Sequence, residues 1–270
     1  MIISVINHTH GLLSDGTVQR AIRAINRQIE QDFEPRWNMG ATLRLEGRTS
    51  SPGPEPLNDA MQHVVDMRGD AVIYLWHPKD VRTALGYHGA NFLGIPYGYV
   101  FPELSESIGE PWTVTLSHEA LELIADPEVN MLVMGPHPLS PRRTVFHWYE
   151  VCDAVQQERY EIDGVPVSNF VLPLYFTNSD EIGSRNDFLG LVRYGRPLRS
   201  FGVHPGGYIG YYNPESGEHE VFFAEGDVVS LRRLRFKNEL GLARRSRRYQ
   251  ARTDLNQSST SALRQFLGSM

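Results

Sequence analysis

Cysteine is nearly absent from this chain: Cys152 is the only one among 270 residues. That excludes an intramolecular disulfide and any zinc site built on two or more thiolates, and it leaves metal binding mainly to histidines and carboxylates. Lysine is almost as scarce, with Lys79 and Lys237 standing against 24 arginines; a GC-rich genome produces the same bias, so it carries no phosphate chemistry by itself. No apolar run approaches the roughly 20 residues that a membrane-spanning helix needs. The start, Met1-Ile2-Ile3-Ser4-Val5-Ile6-Asn7, lacks the cationic segment and small-residue cleavage site of a secretion signal. The expected setting is a reducing one, cytoplasmic or virion-associated.

What is present fits a folded body. The apolar fraction is 41% and the aromatic fraction 10%, both too high for a disordered chain. Charge is unevenly spread: residues 1–230 hold 16 basic and 30 acidic side chains, a balance of −14, whereas residues 231–270 hold 10 and 2, a balance of +8. The chain therefore divides into a body, 1–230, with a possible subdivision near 135–145, and a basic extension, 231–270. The Arg-rich stretch 231–252 suits an anionic partner or an assembly interface, acting through Coulomb attraction and counterion release; a solvated tail offsetting the acidic body is the plainer alternative.

Hydrophobic periodicity sets out the elements. Ile2 to Asn7 reads as a strand. Ser14 caps a helix whose face is Val18, Ile22, Ile25, Ile29 and Phe33, ending near Pro35. Ala41 to Glu46 alternates as a strand does, residues 50–56 form a proline-rich connector, and a short helix over 58–67 precedes a buried strand, Ala71 to Trp76. After the glycine-rich stretch 86–94 comes a weaker strand, Pro96 to Phe101. Pro111 opens a helix to Ala125, which Asp126-Pro127 ends. Val165 to Phe176 reads as strand, and 207–224 as a hairpin. The order of helices and mixed strands predicts α+β.

The chemistry is concentrated in Ser117-His118-Glu119-Ala120-Leu121-Glu122-Leu123-Ile124-Ala125-Asp126-Pro127. At about 100° per residue, His118, Glu122 and Asp126 fall near 0°, 40° and 80°, one imidazole and two carboxylates on one face, with Leu116, Ala120, Leu123 and Ile124 opposite. Such a helix packs on a core while showing its polar face to a cleft. Ligands at i and i+4 with a Glu at i+1 match the arrangement of H-E-x-x-H metallopeptidases, in which the Glu deprotonates water on the ion; here Glu122 stands in the second histidine's place. A solvated face with i to i+4 charge contacts is the competing reading. A second polar cluster, His147-Trp148-Tyr149-Glu150-Val151-Cys152-Asp153, offers a third ligand. His88, between Tyr87 and Gly89, is a candidate substrate contact or a satisfied loop residue, and Cys152 a small buried hydrophobe.

This run, with Glu150-Val151-Cys152-Asp153 and then Tyr160-Glu-Ile-Asp-Gly-Val-Pro-Val-Ser-Asn-Phe-Val-Leu-Pro173, resembles a group of bacterial and phage proteins with zincin-like features, over residues 84–176. The resemblance implies a zincin-like mixed sheet with a backing helix, an edge strand along a cleft and an active-site helix, followed by a β-rich C-terminal portion. It implies His118 and Glu122 as metal ligands and Glu119 as general base, with a peptide or protein substrate in the cleft. Glu150 is the first choice for third ligand, Asp153 the next and Asp126 a weaker one, standing behind the ligands. Tyr149 or Tyr160 would donate to a developing oxyanion. Zn²⁺ is the ion implied; the carboxylate-rich set also suits Mn²⁺ or Ca²⁺. The function expected is a metal-dependent hydrolase, a peptidase; the alternative is a structural or assembly protein keeping a degenerate form of that fold and site.

Overall fold

The computed structural model describes residues 1–47, 68–77, 85–90, 94–177 and 183–224. The connector at 50–56, the helix expected over 58–67 and the basic extension lie outside the described residues.

The chain begins with β1 (Ile2–His8), then α1 (Asp15–Arg27), a π-helical segment (Gln28–Phe33) and one more turn, α2 (Glu34–Trp37). Ser14 caps α1 as its sequence predicts, its Oγ accepting the Thr17 N–H at 3.1 Å. The expectation of a single α-helix to Phe33 is corrected at Gln28, where the turn widens. Gln28 is fully buried, and its amide is satisfied only across the interior: Nε2 donates to the Ser168 carbonyl at 2.8 Å and Oε1 accepts from Ser117 Oγ at 2.6 Å.

Strands β2 (Thr42–Glu46), β3 (Ala71–Trp76), β4 (Gly86–Ala90) and β5 (Pro96–Val100) join β1 in a five-stranded sheet of order β2-β1-β3-β5-β4. Four of these strands run parallel and β4 lies antiparallel to β5 at the edge. Both faces of β3 are buried, as its unbroken apolar run requires. Ile3, Val5, Leu43, Ile73 and Leu75 share one core with the apolar stripe of α1. Val72, Tyr74, Trp76, Tyr87, Tyr97 and Tyr99 form a separate aromatic core on the other face.

The short α3 (Pro102–Ser107) leads to α4 (Trp112–Ala125). Leu116, Ala120, Leu121, Leu123 and Ile124 place α4 in the core that α1 occupies. Next come β6 (Leu132–His137) and β7 (Ser140–Trp148), a hairpin across the 135–145 region where a subdivision was considered, followed by a 3₁₀ turn at Asp153–Val155. The ribbon β8 (Arg159–Ile162) with β9 (Val165–Ser168) covers only the first part of the strand expected to Phe176. Pro173, which has no N–H to give a ladder, instead opens a 3₁₀ turn, Pro173–Phe176. A two-residue ribbon, β10 (Val192–Arg193) and β11 (Arg196–Pro197), precedes the expected C-terminal hairpin, β12 (Tyr208–Asn213) and β13 (Glu218–Phe223). The second sheet has the order β13-β12-β7-β6. The class is mixed α+β, with several sheets and few helices.

Candidate metal centre

Helix α4 departs from the amphipathic reading. Every residue from Trp112 to Ala125 is buried, with Glu119 and Glu122 at 0% exposure, so the polar face is directed into the protein rather than shown to open solvent. Charged groups at that depth persist only if each has partners. Ser117, one residue before His118, is fixed on Gln28 and accepts the Ser168 N–H at 3.0 Å. Thr113 donates to the Pro166 carbonyl at 2.7 Å. These contacts set the rotation of α4 about its axis, and with it the directions of His118, Glu119 and Glu122.

His118 Nε2 lies 3.0 Å from Glu122 Oε2 and 3.3 Å from Asp153 Oδ1. Glu122 Oε1 accepts the Cys152 backbone N–H at 3.2 Å. The one-turn spacing on the helix and the turn beginning at Asp153 thus bring both carboxylates to His118, with Asp153 rather than the first-choice Glu150 beside the imidazole. Glu122 is pushed up to about 7 by burial, with Asp153 and Glu150 adding to the rise and His118 opposing it.

The other side of α4 faces β4. His88 Nδ1 stands 3.1 Å from Glu119 Oε2 and 3.7 Å from Glu122 Oε2, while its Nε2 is 3.9 Å from Glu150 Oε2. This residue belongs to the centre, not to a loop. Its signal was period two: Gly86 and His88 point toward α4, and Tyr87 points into the aromatic core. Gly86 makes the approach possible, since a Cβ there would stand 2.8 Å from both Glu119 Oε1 and Thr115 Cγ2.

Glu150 and Asp153 line a small cleft of about 10 Å³, with Trp148, Tyr175 and Phe176 also on its wall. Cys152 is fully buried as expected, and its Sγ lies within 4.8 Å of ligand atoms of His118 and Glu122. Asp126 is directed elsewhere: it terminates α4, and its two oxygens accept the backbone N–H groups of Asn130 at 3.1 Å and Met131 at 3.0 Å. Tyr149 packs its ring 4.6 Å from that of Phe176 and against Trp37, and burial raises its phenol pKa, with Asp126 adding to the rise. Tyr160 donates to Asp32 at 2.8 Å. The tyrosine that lines the cleft with Asp153 is Tyr175, whose hydroxyl donates to the Gly202 carbonyl at 2.8 Å; its position comes from the turn after Pro173, which periodicity does not reveal.

The donor set suits a divalent cation. Three overlapping groups, His118–Glu122–Cys152, His88–Glu119–Glu122 and Glu122–Glu150–Asp153, each bring their ligand atoms within 4.8 Å of one another. The shortest separations, 3.0 to 3.3 Å, match the edge of about 3 Å between neighbouring ligands whose bonds to an ion are about 2.0–2.2 Å. No protein-family model, curated protein or solved structure matches the chain.

Proposed function

We propose that the protein is a metal-dependent hydrolase of zincin-like arrangement, acting on an extended peptide or protein chain. One observation carries the reading: inside the protein the His118 imidazole stands within 3.3 Å of two carboxylates, Glu122 of α4 and Asp153 of the following turn. His118, Glu122 and Asp153 hold the ion, and Cys152 fixes Glu122 through its backbone N–H. When bound there, a divalent ion supplies Lewis acidity, lowering the pKa of water and polarising a carbonyl. The abundance of carboxylates favours Mn²⁺ over Zn²⁺ more than a histidine-rich site does.

Glu150, beside the cleft, accepts the proton in this scheme. Glu119, expected there from its place next to His118, is enclosed between α4 and β4. The test is turnover of an unstructured protein substrate by the metal-loaded chain. Glu150→Gln keeps the ion and loses at least about a hundredfold in rate, the scale of a lost general base; unchanged hydrolysis removes the assignment.

The enclosure of α4 favours a second reading, an ion that serves structure in an assembly protein. In that case the ion raises the unfolding temperature and no substrate is turned over.

A further inference from the structure

We propose that the centre takes two divalent ions, with Glu122 bridging them and His88 and Glu119 holding the second. This rests on the reading that the cluster binds metal at all, and it goes beyond the single ion assigned to His118, Glu122 and Asp153.

The donors do not surround one point. They fall on two sides of α4, with His118 and Asp153 on one and His88 and Glu119 on the other. Glu122 reaches both most closely: its Oε2 is 3.0 Å from His118 Nε2 and 3.7 Å from His88 Nδ1, whereas Glu150, grouped with Asp153, is 3.9 Å from His88 Nε2. Glu122 is also the member common to all three groups of potential ligands. A carboxylate placed between two imidazoles is the geometry of a bridging ligand, and ions sharing such a bridge sit about 3.5–4 Å apart.

The number of donors leads to the same count. Glu119, Glu122 and Asp153 are fully or almost fully buried, and Glu150 is nearly so. An ion held by His118, Glu122 and Asp153 leaves His88 and Glu119 as a further pair of ligands beside Glu122. Gly86 bears on the second position specifically. Without a Cβ it lets β4 close onto Glu119, bringing His88 Nδ1 to 3.1 Å from Glu119 Oε2. A single-ion site on His118, Glu122 and Asp153 has no need of that approach.

The experiment is ion counting on the full chain, stripped with chelator, reloaded with Mn²⁺ and passed through a desalting column, with electron paramagnetic resonance on the same samples. The wild type retains two equivalents, and its spectrum shows the exchange coupling of a bridged pair. Glu119→Gln, which keeps the side chain's size, drops to one equivalent with an isolated-ion spectrum, and His88→Gln does the same. Circular dichroism confirms that each variant is folded, and loss of the second ion in either folded variant suffices. A wild type holding one equivalent, or two equivalents that survive both substitutions, overturns the second site while leaving the first intact. A wild type holding none overturns the metal reading itself.

Discussion

Two buried Glu–His pairs in this protein have nearly the same geometry and opposite electrostatics. Glu158 Oε1 is 2.8 Å from His204 Nδ1, and Glu122 Oε2 is 3.0 Å from His118 Nε2. Around Glu158 the further neighbours are donors: Arg193 Nε at 2.9 Å and Asn169 Nδ2 at 2.8 Å. Burial alone would raise the Glu158 pKa, but these hydrogen bonds and His204 outweigh it and hold the carboxyl below its ordinary value. Around Glu122 the Cys152 N–H donates at 3.2 Å, but Asp153 and Glu150 are carboxylates that add to the rise, and burial prevails. Donors within the protein surround the Glu158 carboxylate, which ties together the chain at residues 158, 169, 193 and 204. The second pair gathers carboxylates, and in the proposed reading a bound cation balances them. A buried His–Glu contact is therefore no sign of a site by itself; the sign is what the carboxylate lacks around it.

The largest effect should come from breaking the second pair. His118→Ala with Glu122→Ala removes the ligands common to the first ion site, and elemental analysis of protein purified without a metal-affinity tag should find the divalent ion abolished, while the first pair and the fold around it persist. Stoichiometric ion in that variant would contradict the difference drawn here.

Breaking the first pair should act on stability instead. Glu158→Gln removes the charge and sets an amide NH2 against either Asn169 Nδ2 or the Arg193 and His204 donors, and denaturant unfolding should show a loss of roughly 2 kcal/mol, with ion content unchanged. The same group sets a pH dependence. Its folded pKa lies below the unfolded value of about 4.3, so its stabilisation is fully present above that value and is lost as pH falls through the folded pKa. Wild-type stability should decline on that acid limb more steeply than that of Glu158→Gln, a difference that urea unfolding between pH 6 and pH 3 would measure.

Gly86→Ala sharpens the comparison from the backbone side. The new methyl meets Glu119 Oε1, Thr115 Cγ2 and the Tyr99 carbonyl, all within 2.9 Å, so β4 or α4 must shift. Overpacking of this kind costs about 2 kcal/mol, and ion affinity should weaken along with it.

Much of this arrangement was legible in the sequence, and the exceptions have local causes. The limits of β3 and α4, the cap at Ser14 and the shared face of His118 and Glu122 follow from periodicity, capping and helical spacing; Asp153, ranked after Glu150 from the sequence, is brought to His118 by the fold. Strand β4 was not legible, because Gly86-Tyr87-His88-Gly89 has little intrinsic strand preference; its conformation is imposed by pairing with β5 and by the close approach of α4. Asp126 shared a helical face with the ligands only as long as the helix was continued past its end. At the terminus its backbone turns away, and its carboxylate satisfies the two N–H groups that follow. Tyr149 carries the right chemistry beside Glu150, but successive residues of an extended segment point to opposite sides, and its ring joins Trp37 and Phe176. Tyr149→Phe should accordingly be the mildest of these changes, leaving ion content unaltered and costing less than about 1 kcal/mol by thermal unfolding.

The central claim, that the negative charge around Glu122 is completed by a cation, is tested most directly by thermal unfolding of the chelator-treated full chain titrated with Mn²⁺. Binding to the folded state alone should raise the unfolding temperature progressively with ion concentration. The rise should be absent in the His118→Ala, Glu122→Ala double variant and preserved in Glu158→Gln. An unfolding temperature that does not change with Mn²⁺ or Zn²⁺, or that rises equally in wild type and double variant, would contradict the account.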